Sequence, residues 1–503
     1  MSTKSRSLLE IILIDYRWVF VCFFLLPISF VYNLFYYVRN VIVFRLNTAP
    51  KKHDSKVKKI QSQVNDWRKS GMKTKMCTAR PGWQTMSFRR PLYKRHFTQI
   101  DCNLIDILEV DLKRGVIRVE PLVNMGQISA TLAKLGWTIA IVPELDDLTV
   151  GGLVMGTGIE SSSHIYGLFQ HICESYELVL ADGSLITCSK HENSDLFYAV
   201  PWSYGTLGFL TAVEIKIIPA TKYIRLKYEP VRGIRNLCRK FDEASKNKSN
   251  CFVEALQFGL DEAVVMTGVK VNDNEVDYEK INEIGKWYKP WFFVHVRNMM
   301  KSNKQIVEYI PLKDYFHRHS RSIFWELQDI VPFGNNILFR YLFGWLMPVK
   351  VSLLKITQTA AIKKLYEENH IIQDMLVPIS KMEQCLRDID DAVQVYPIWL
   401  CPFHLPNDPG MVHPKTETSQ MYVDIGIYGV PQRRFDAKPV TRRIESLVAD
   451  CDGFQMLYAD TYRTEDEFRQ MFDHSLYDKM RTKYDCKSAF PEVFGKVNKN
   501  VRD

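Results

Sequence analysis

The chain has 503 residues, of which 46% are hydrophobic and 24% are charged, and its formal net charge is +9. This composition excludes a wholly disordered chain, and the length predicts more than one domain. The modest positive charge forms no concentrated cationic stripe, which argues against a nucleic-acid-binding protein. The 11 cysteines include no Cys-x-x-Cys pair, so the pattern favours reduced thiols and predicts neither a disulfide framework nor a metal site.

The first predicted element is a membrane helix. Residues 18–38 read "WVFVCFFLLPISFVYNLFYYV" and carry no charge, and as a helix they would span about 30 Å. Three cations precede this segment in residues 1–17 and seven follow it in residues 39–59, which predicts a cytosolic C-terminal side. We therefore predict a short lumenal tail (1–17), a single-pass anchor (18–44) that Pro27 kinks, and a basic juxtamembrane linker (45–55).

A glycine-rich segment, "GGLVMGTGIESSSHIYG" at residues 151–167, follows in chain order. It resembles the start of a Rossmann loop, but Ser161 stands where the third glycine belongs. The segment "YELVLADGSLITC" comes next, and its Asp182-Gly183 pair predicts an antiparallel hairpin, whereas a Rossmann unit needs a parallel strand. Two interpretations remain: a polar loop with tight turns, or backbone and hydroxyl donors that hold a pyrophosphate without Lys or Arg.

The surrounding elements favour an α+β nucleotide-binding domain. Short strands are predicted at residues 107–110 and 116–119, a helix at residues 125–135, and a long strand at residues 209–218 after the Gly205–Gly208 turn. Further along the chain we predict a strand at residues 223–230, a strand pair within residues 251–269, and helices at residues 235–246 and 355–369. Residues 322–356 are rich in aromatic and aliphatic side chains, and predict either core or a surface that dips into a bilayer.

Several long strings support a family resemblance. The ordered set "ARPGW", "VEPLVNMGQ", "PELDDLTVGGLVMGTGIESSSH", "YELVLADGS" and "ENSDLFYAVPWSYGTLGFLTAVEIKIIPA" resembles the FAD-binding domain of vanillyl-alcohol-oxidase-type flavoproteins. "EYIPLKDYFHRHSRSIFWELQDIVPFGNN", "YPIWLCPF" and "GFQMLYADTY" are similar to the sterol side-chain reductases among them. The similarity runs from about residue 74 to residue 489.

The resemblance implies a two-domain α+β FAD-binding fold preceded by one transmembrane helix. The FAD-binding domain is expected at residues 56–222, and an antiparallel-sheet substrate domain with the C-terminal segment at residues 223–503. The cofactor-binding residues that it implies are Gly151, Gly152, Gly156, Thr157, Gly158, Ile159, Glu160, Ser161, Ser162, Ser163, His164, Ile165, Tyr166, Gly167, Leu168, Phe169, Gly205, Thr206 and Gly208.

Many relatives attach flavin through a histidine in the first glycine loop. Here that loop reads Arg80-Pro81-Gly82-Trp83, so the expected FAD is non-covalent.

The implied activity is reduction of the carbon 24 double bond in a sterol side chain, with NADPH as the electron donor. Such a reaction needs a general acid beside the flavin. The residue types suited to that role are found at Tyr458, Tyr462, His317, His319 and Glu326. Arg318 and Arg321, in the same "HRHSR" string, could hold the phosphates of NADPH or form an exposed charged turn.

Two other functions remain open on the residues alone: an oxidase or dehydrogenase of the same fold, and a non-enzymatic sterol-binding membrane protein. The resemblance further implies an endoplasmic reticulum or Golgi membrane with a cytosolic catalytic domain. It leaves open self-association or association with other sterol-pathway enzymes.

Overall fold

The computed structural model describes residues 16–85, 87, 92–302, 304–356, 358 and 360–501. The predicted lumenal tail therefore lies almost wholly outside the described residues. The chain folds into an N-terminal apolar helix, a first α+β domain, and a second domain built on one large antiparallel sheet.

The N-terminal helix is continuous over three segments, Arg17–Phe20, Val21–Leu25 and Leu26–Arg45. It is 29 residues long and contains an 18-residue stretch with a mean hydropathy of 2.0, so it is long and apolar enough to cross a membrane. Its middle segment is a π-helical turn directly before Pro27. Proline has no N–H to donate to the preceding turn, which accounts for the irregular bonding at the position where a kink was predicted.

The prediction of a juxtamembrane linker at residues 45–55 is corrected, because a second helix, Ala49–Lys69, begins within it. Its buried residues recur at the helical spacing of three and four, and they pack on the first domain: Val57, Ile60, Val64 and Trp67. The buried His53 ring contacts Glu120 at 2.9 Å and Glu177 at 3.0 Å. The segment is therefore part of the folded body.

The first domain contains a parallel strand pair and a six-stranded sheet. The pair is β1 (Met76–Thr78) and β2 (Thr98–Ile100). The sheet has the order β3-β4-β8-β6-β7, and β5 also pairs with β8. Its strands are β3 (Ile107–Asp111), β4 (Val116–Val119), β5 (Trp137–Ile139), β6 (Cys173–Val179), β7 (Leu185–Ser189) and β8 (Phe209–Pro219).

The predicted hairpin at Asp182-Gly183 is confirmed, because β6 and β7 pair antiparallel and Gly183 adopts a φ of +83°. The α-helices of this domain are Met125–Leu132, Val150–Met155, Ser163–Tyr166 and Ser194–Ala199. Its 3-10 turns are Gly82–Gln84, Leu92–Arg95, Ala133–Leu135 and Phe169–Ile172.

The second domain is built on an eight-stranded sheet with the order β12-β9-β11-β10-β14-β15-β13-β16, in which every pairing is antiparallel. Its strands are β9 (Tyr223–Arg232), β10 (Phe252–Gly259), β11 (Glu262–Val271), β12 (Ile306–Pro311), β13 (Ile371–Pro378), β14 (Ile398–Leu405), β15 (Gln420–Gly429) and β16 (Phe454–Gln455). The predicted strand and strand pair correspond to β9, β10 and β11.

Helices cover this sheet and connect its strands. The α-helices are Ile234–Lys246, Phe292–Met299, Leu312–Phe316, Leu327–Ile330, Ile337–Phe343, Val351–Ile356, Ala360–Asn369, Met382–Ala392 and Ala437–Asp450. The 3-10 turns are Asp273–Glu275, Tyr278–Lys280, Gly344–Leu346 and Ile379–Lys381. The helix predicted at residues 355–369 is confirmed over Ala360–Asn369, whereas residues 355 and 356 belong to a separate helix, Val351–Ile356.

The C-terminal helices return to the first domain. They are Glu465–Met471, Ser475–Lys483, Cys486–Ala489 and Val493–Val497. The Tyr477 hydroxyl lies 2.6 Å from the Thr206 hydroxyl, and the Arg481 guanidinium donates to the Thr206 carbonyl at 2.8 Å. This segment therefore supports the second glycine turn from behind.

Candidate active site

A cavity of about 670 Å³ lies between the two domains. The glycine loops of the first domain form one wall. Side chains from the second sheet and its covering helices form the other, including Phe324, Trp399 and Tyr428. A flat cofactor on the glycine wall would therefore face a substrate on the opposite wall.

Eight of the predicted cofactor-binding residues line this cavity: Gly151, Gly152, Gly156, Thr157, Gly158, Ile159, Gly205 and Gly208. At Gly158 a Cβ atom would lie 2.7 Å from Leu153 Cδ2 and 3.1 Å from Pro143 Cγ, so only glycine fits without a shift. Among the described residues, the amide N–H groups of Thr157, Gly158 and Ile159 meet no acceptor. They are free to donate to an anion in the cavity.

The other predicted cofactor-binding residues do not line the cavity. The hydroxyls of the serine run make internal hydrogen bonds: Ser161 accepts from Tyr315 at 2.9 Å, Ser162 donates to Ala140 at 2.8 Å, and Ser163 accepts from the Glu160 amide at 3.0 Å. His164 bridges two backbone carbonyls, those of Ser161 and Asn250. Of the rest, Ile165 is exposed, Tyr166 and Gly167 close the short helix, Leu168 and Phe169 are core, and Thr206 contacts Tyr477.

The serine hydroxyls therefore bond within the protein, and their contact with the pyrophosphate stays a prediction. Glu160 is also structural, because its carboxylate pairs with Arg318 at 2.7 Å. Arg318 pairs at the same time with Glu254 on β10, and all three side chains are fully buried. The ion triad fastens the glycine loop of the first domain to the sheet of the second.

The contacts of Arg318 and Arg321 contradict both interpretations of the "HRHSR" string, as a site for NADPH phosphates and as an exposed charged turn. Arg318 is buried in the ion triad, so it is neither an exposed turn nor a ligand for NADPH phosphates. The Arg321 guanidinium donates to backbone carbonyls, including that of Ile284 at 3.2 Å. Both cations are used within the protein.

Three cations on the glycine wall of the cavity were not predicted from the sequence to bind the cofactor. Arg80, Lys94 and Lys496 line the cavity. Lys94 donates to the carbonyl of Arg80 at 2.6 Å, and Lys496 donates to the carbonyl of Tyr204 beside the second glycine turn. The sequence interpretation assumed a pyrophosphate site without Lys or Arg. Arg80 and Lys94 are 14 residues apart and Lys496 lies near the C-terminus, so no local motif contains all three.

Acidic and phenolic side chains gather on the opposite wall. Asp374 on β13 and Asp424 on β15 lie on the same face of the sheet, because Asp374 is paired with Gly426, two residues from Asp424. The Tyr428 hydroxyl donates to Asp374, and Tyr458 makes a second hydrogen bond to it. All four line the cavity, and we call them the acid cluster.

The acid cluster is arranged to retain protons. A Cβ at Gly426 would lie 2.6 Å from the Tyr428 hydroxyl oxygen, so glycine there leaves room for that group to reach Asp374. Burial raises the pKa of Asp374 to about 6, although hydrogen bonds from Tyr428 and Tyr458 oppose the shift. Burial and then the Asp374 charge raise the pKa of Asp424, whose two oxygens meet no partner among the described residues.

Only two of the five predicted acid candidates line the cavity, Tyr458 and Glu326. The Glu326 carboxylate lies 2.9 Å from His370 Nε2, and burial raises its pKa. Tyr462 lines a neighbouring pocket beside Trp83.

The two histidine candidates are turned away from the cavity. His317 Nε2 lies 3.0 Å from the Ser129 hydroxyl, and the His319 ring stacks on Phe324 with centroids 4.4 Å apart. Burial lowers the pKa of each to about 4. They are therefore poor candidates for the acid.

Comparison with known proteins gives the family. The profile of the FAD binding domain matches residues 65–189. The chain is 58% identical to the Delta(24)-sterol reductases of Mus musculus and Homo sapiens over 98% of its length and 96% of theirs. It is 41% identical to the Delta(24)-sterol reductase of Arabidopsis thaliana over 97% of its length and 92% of that protein. The chain belongs to the Delta(24)-sterol reductase family.

Family membership confirms the predicted fold, the FAD cofactor and the assignment as an oxidoreductase. The residues present fit FAD. Unpaired amides and the cations Arg80, Lys94 and Lys496 suit a pyrophosphate, and Gly156 and Gly158 clear the wall beside them. Among the described residues that line the cavity there is no histidine, and non-covalent attachment stays a prediction.

Replacing Gly158 by Val is expected to abolish retention of FAD, because the side chain would push Leu153 and Pro143 into the cofactor wall. The flavin absorbance per protein of the purified variant measures this. Gly495 is the matched control, since a Cβ there meets no atom within 4 Å. Gly495→Val should stay yellow. A Gly158→Val protein with full flavin content would contradict the assigned site.

Proposed function

We propose that this protein uses NADPH to reduce the carbon 24 double bond of a sterol side chain. The observation that carries the proposal is the acid cluster, which faces the glycine wall across an otherwise largely apolar cavity. Its relatives are named for this activity. A sterol is almost entirely hydrocarbon, so aromatic and aliphatic walls formed by Phe324, Trp399 and Leu354 suit it.

Saturating an isolated alkene requires a hydride at one carbon and a proton at the other. Bound FAD would supply the hydride, after taking it from NADPH. The chain supplies the proton. Tyr458 is the best placed of the predicted acids for this role, because it lines the cavity and bonds to Asp374.

In the proposed mechanism Tyr458 donates its hydroxyl proton to the alkene carbon that does not receive the hydride. Asp374 and Asp424 then return a proton to the phenolate. Burial raises the pKa of Tyr458 well above its usual value, with a further contribution from the Asp374 charge, so the hydroxyl is protonated before the step. The apolar wall excludes water that would otherwise compete for the carbocation-like centre.

Binding of FAD is proposed to use the residues that line the glycine wall. The amides of Thr157, Gly158 and Ile159 donate to the pyrophosphate, and Lys94 and Lys496 neutralise its charge. The other residues predicted to bind FAD, within residues 160–169, act indirectly by holding the glycine loop in position. The FAD-binding domain is proposed at residues 56–222 and the substrate domain at residues 223–503.

A sterol substrate implies a membrane of the endoplasmic reticulum or Golgi apparatus, with the catalytic domain in the cytosol, where NADPH is available. The apolar N-terminal helix is consistent with membrane association. A single-pass orientation is the arrangement predicted from the sequence, but the contacts of this helix favour another one. Self-association and association with other sterol-pathway enzymes remain open.

An anaerobic visible spectrum of the detergent-purified protein tests the proposal. NADPH should bleach the flavin bands, and a sterol with a side-chain double bond should restore them. If NADPH does not bleach the flavin bands, then the assignment of NADPH as the electron donor is contradicted. Flavin that is restored by oxygen and not by the sterol would instead support an oxidase.

A further inference from the structure

The N-terminal helix lies along the folded body over its whole length. At its start the Arg17 guanidinium donates to the Leu354 carbonyl at 3.2 Å, and the Trp18 ring meets Phe333 with centroids 5.0 Å apart. In its middle the Ser29 hydroxyl accepts from the Lys350 amide at 3.1 Å.

The second half of the helix is fastened to the first domain. The Arg39 guanidinium bonds to Asp106 at 2.7 Å, and Val43 packs against Leu108. Both ends of the helix are therefore tied to the same body.

Two opposite stripes run along this helix. The buried stripe lies in the first half of the helix and contains Val21, Cys22, Leu25, Leu26 and Ser29. The exposed stripe is apolar and recurs at helical spacing over the full length: Phe20, Phe24, Ile28, Val31, Phe35, Val38 and Ile42. A helix that crosses a bilayer alone would not have its full length in contact with a soluble domain.

The body adds a second apolar element beside this helix. The segment Ile337–Leu346 exposes five large side chains, and Leu338 is the most exposed of them at 71%: Ile337, Leu338, Tyr341, Leu342 and Trp345. Aromatic contacts join the two elements: Phe23 meets Phe343 at 5.9 Å, and Phe30 meets Trp345 at 5.4 Å between ring centroids. Together the exposed stripe and this segment form one apolar platform, and a contiguous apolar surface of this kind marks a membrane or protein interaction site.

Charges beside the helix exclude a perpendicular orientation. Asp106 and Lys134 lie against its second half, and the Lys134 ammonium sits 5.4 Å from the Tyr37 ring. A bilayer-spanning position of the helix would carry these charges and the adjacent domain surface into hydrocarbon, which is costly. Lying flat leaves them in water and still buries the platform.

The occupant of the platform is a lipid leaflet. The residues directly behind it, Val351 and Leu354, line the cavity, and so does Arg17. This inference does not depend on the proposed reaction, but it explains how a membrane-dissolved substrate reaches the site without crossing water. Exposed cations at the far end, Arg45, Lys51 and Lys52, suit anionic headgroups.

We propose that the N-terminal helix does not cross the membrane but lies in the plane of one leaflet, together with the segment Ile337–Leu346, so that both chain termini stay on one side. This replaces the single-pass anchor and the lumenal N-terminus predicted from the sequence.

Epitope tags at the two termini of the full chain, in sealed microsomes, test the topology. External protease should remove both tags to the same extent, whereas a lumenal marker protein stays protected. Protection of the N-terminal tag with loss of the C-terminal tag would overturn the proposal and restore the single-pass anchor.

A second measurement concerns the platform itself. The double variant Leu338→Glu/Leu342→Glu should bind phosphatidylcholine vesicles about tenfold more weakly in flotation, because charges at the interface oppose insertion. Val430→Glu, an exposed apolar residue outside the platform, is the control and should float as the unmodified protein does. Unchanged flotation of the double variant would show that the helix alone anchors the protein. If the double variant instead loses dimers and still binds vesicles, then the platform covers a second copy of the chain.

Discussion

Replacing Tyr458 by Phe is expected to slow the sterol-dependent reoxidation of the reduced flavin by about 10²–10⁴-fold, the usual contribution of a positioned general acid. Flavin content and the rate of bleaching by NADPH should be unchanged, because the hydroxyl belongs to the acid cluster on the substrate wall, across the cavity from the glycine loops. Anaerobic stopped-flow spectroscopy measures the two half-reactions separately. A merely structural hydroxyl would affect both half-reactions or neither.

Tyr462 provides the matched control. It is a tyrosine four residues along the same segment, and it lines the neighbouring pocket, while the acid cluster belongs to the main cavity. Tyr462→Phe should leave both half-reactions intact. Equal losses in the two variants would point to a general effect on the segment, and an unimpaired Tyr458→Phe would mean that the proton comes from elsewhere.

The pH dependence of the same step tests the role of Asp374. Burial raises the pKa of this carboxyl to about 6, so it holds a proton below that pH and loses it as the pH rises. The rate of sterol-dependent reoxidation should therefore fall as the pH increases through about 6. In Asp374→Asn this fall should disappear together with most of the rate, and NADPH bleaching should keep its normal pH profile.

Local patterns in the sequence predicted much of the fold. The hairpin at Asp182-Gly183 and the strands β3, β4 and β8 depend on alternation and turn residues, which are visible in a short window. The helix Ala49–Lys69 was missed because its many lysines suggested a solvated linker. Its apolar residues nevertheless repeat every three or four positions, and that signal could have found it.

The two walls of the cavity differed in how far they could be predicted. Gly156 and Gly158 lie in one motif, and the motif itself indicated a cofactor. The acid cluster is assembled from β13, β15 and the segment after β16, so only the sheet order brings Asp374, Asp424 and Tyr458 together. The role of the serine run could not be predicted, because hydroxyl donors look alike in sequence, whether they bind a ligand or hold a loop in place.

Replacing Arg318 by Met is expected to cost about 3–5 kcal/mol of stability, the usual loss when one partner of a buried ion pair is removed. The guanidinium bonds to Glu160 and Glu254 at 2.7 Å each, and all three side chains are fully buried. Without it, two carboxylates would face each other inside the protein. The glycine loop would also lose one of its links to β10, so flavin should be released at a lower temperature.

The unfolding temperature and the temperature of flavin release in detergent measure this effect. Arg114→Met is the control, since Arg114 forms a comparable pair with Glu214 at 3.1 Å on the surface, where solvent screens the interaction, and it should change neither value.

The triple variant Glu160→Gln/Arg318→Met/Glu254→Gln separates charge from packing, because it removes both stranded carboxylates along with the cation. It should recover much of the lost stability. If it unfolds as early as Arg318→Met, then the loss lies in the hydrogen bonds that Arg318 makes to the Tyr315 carbonyl and in its stacking on the Tyr315 ring, 4.2 Å away. The ion triad would then act as a packing element, and its charges would not be what joins the two walls of the cavity.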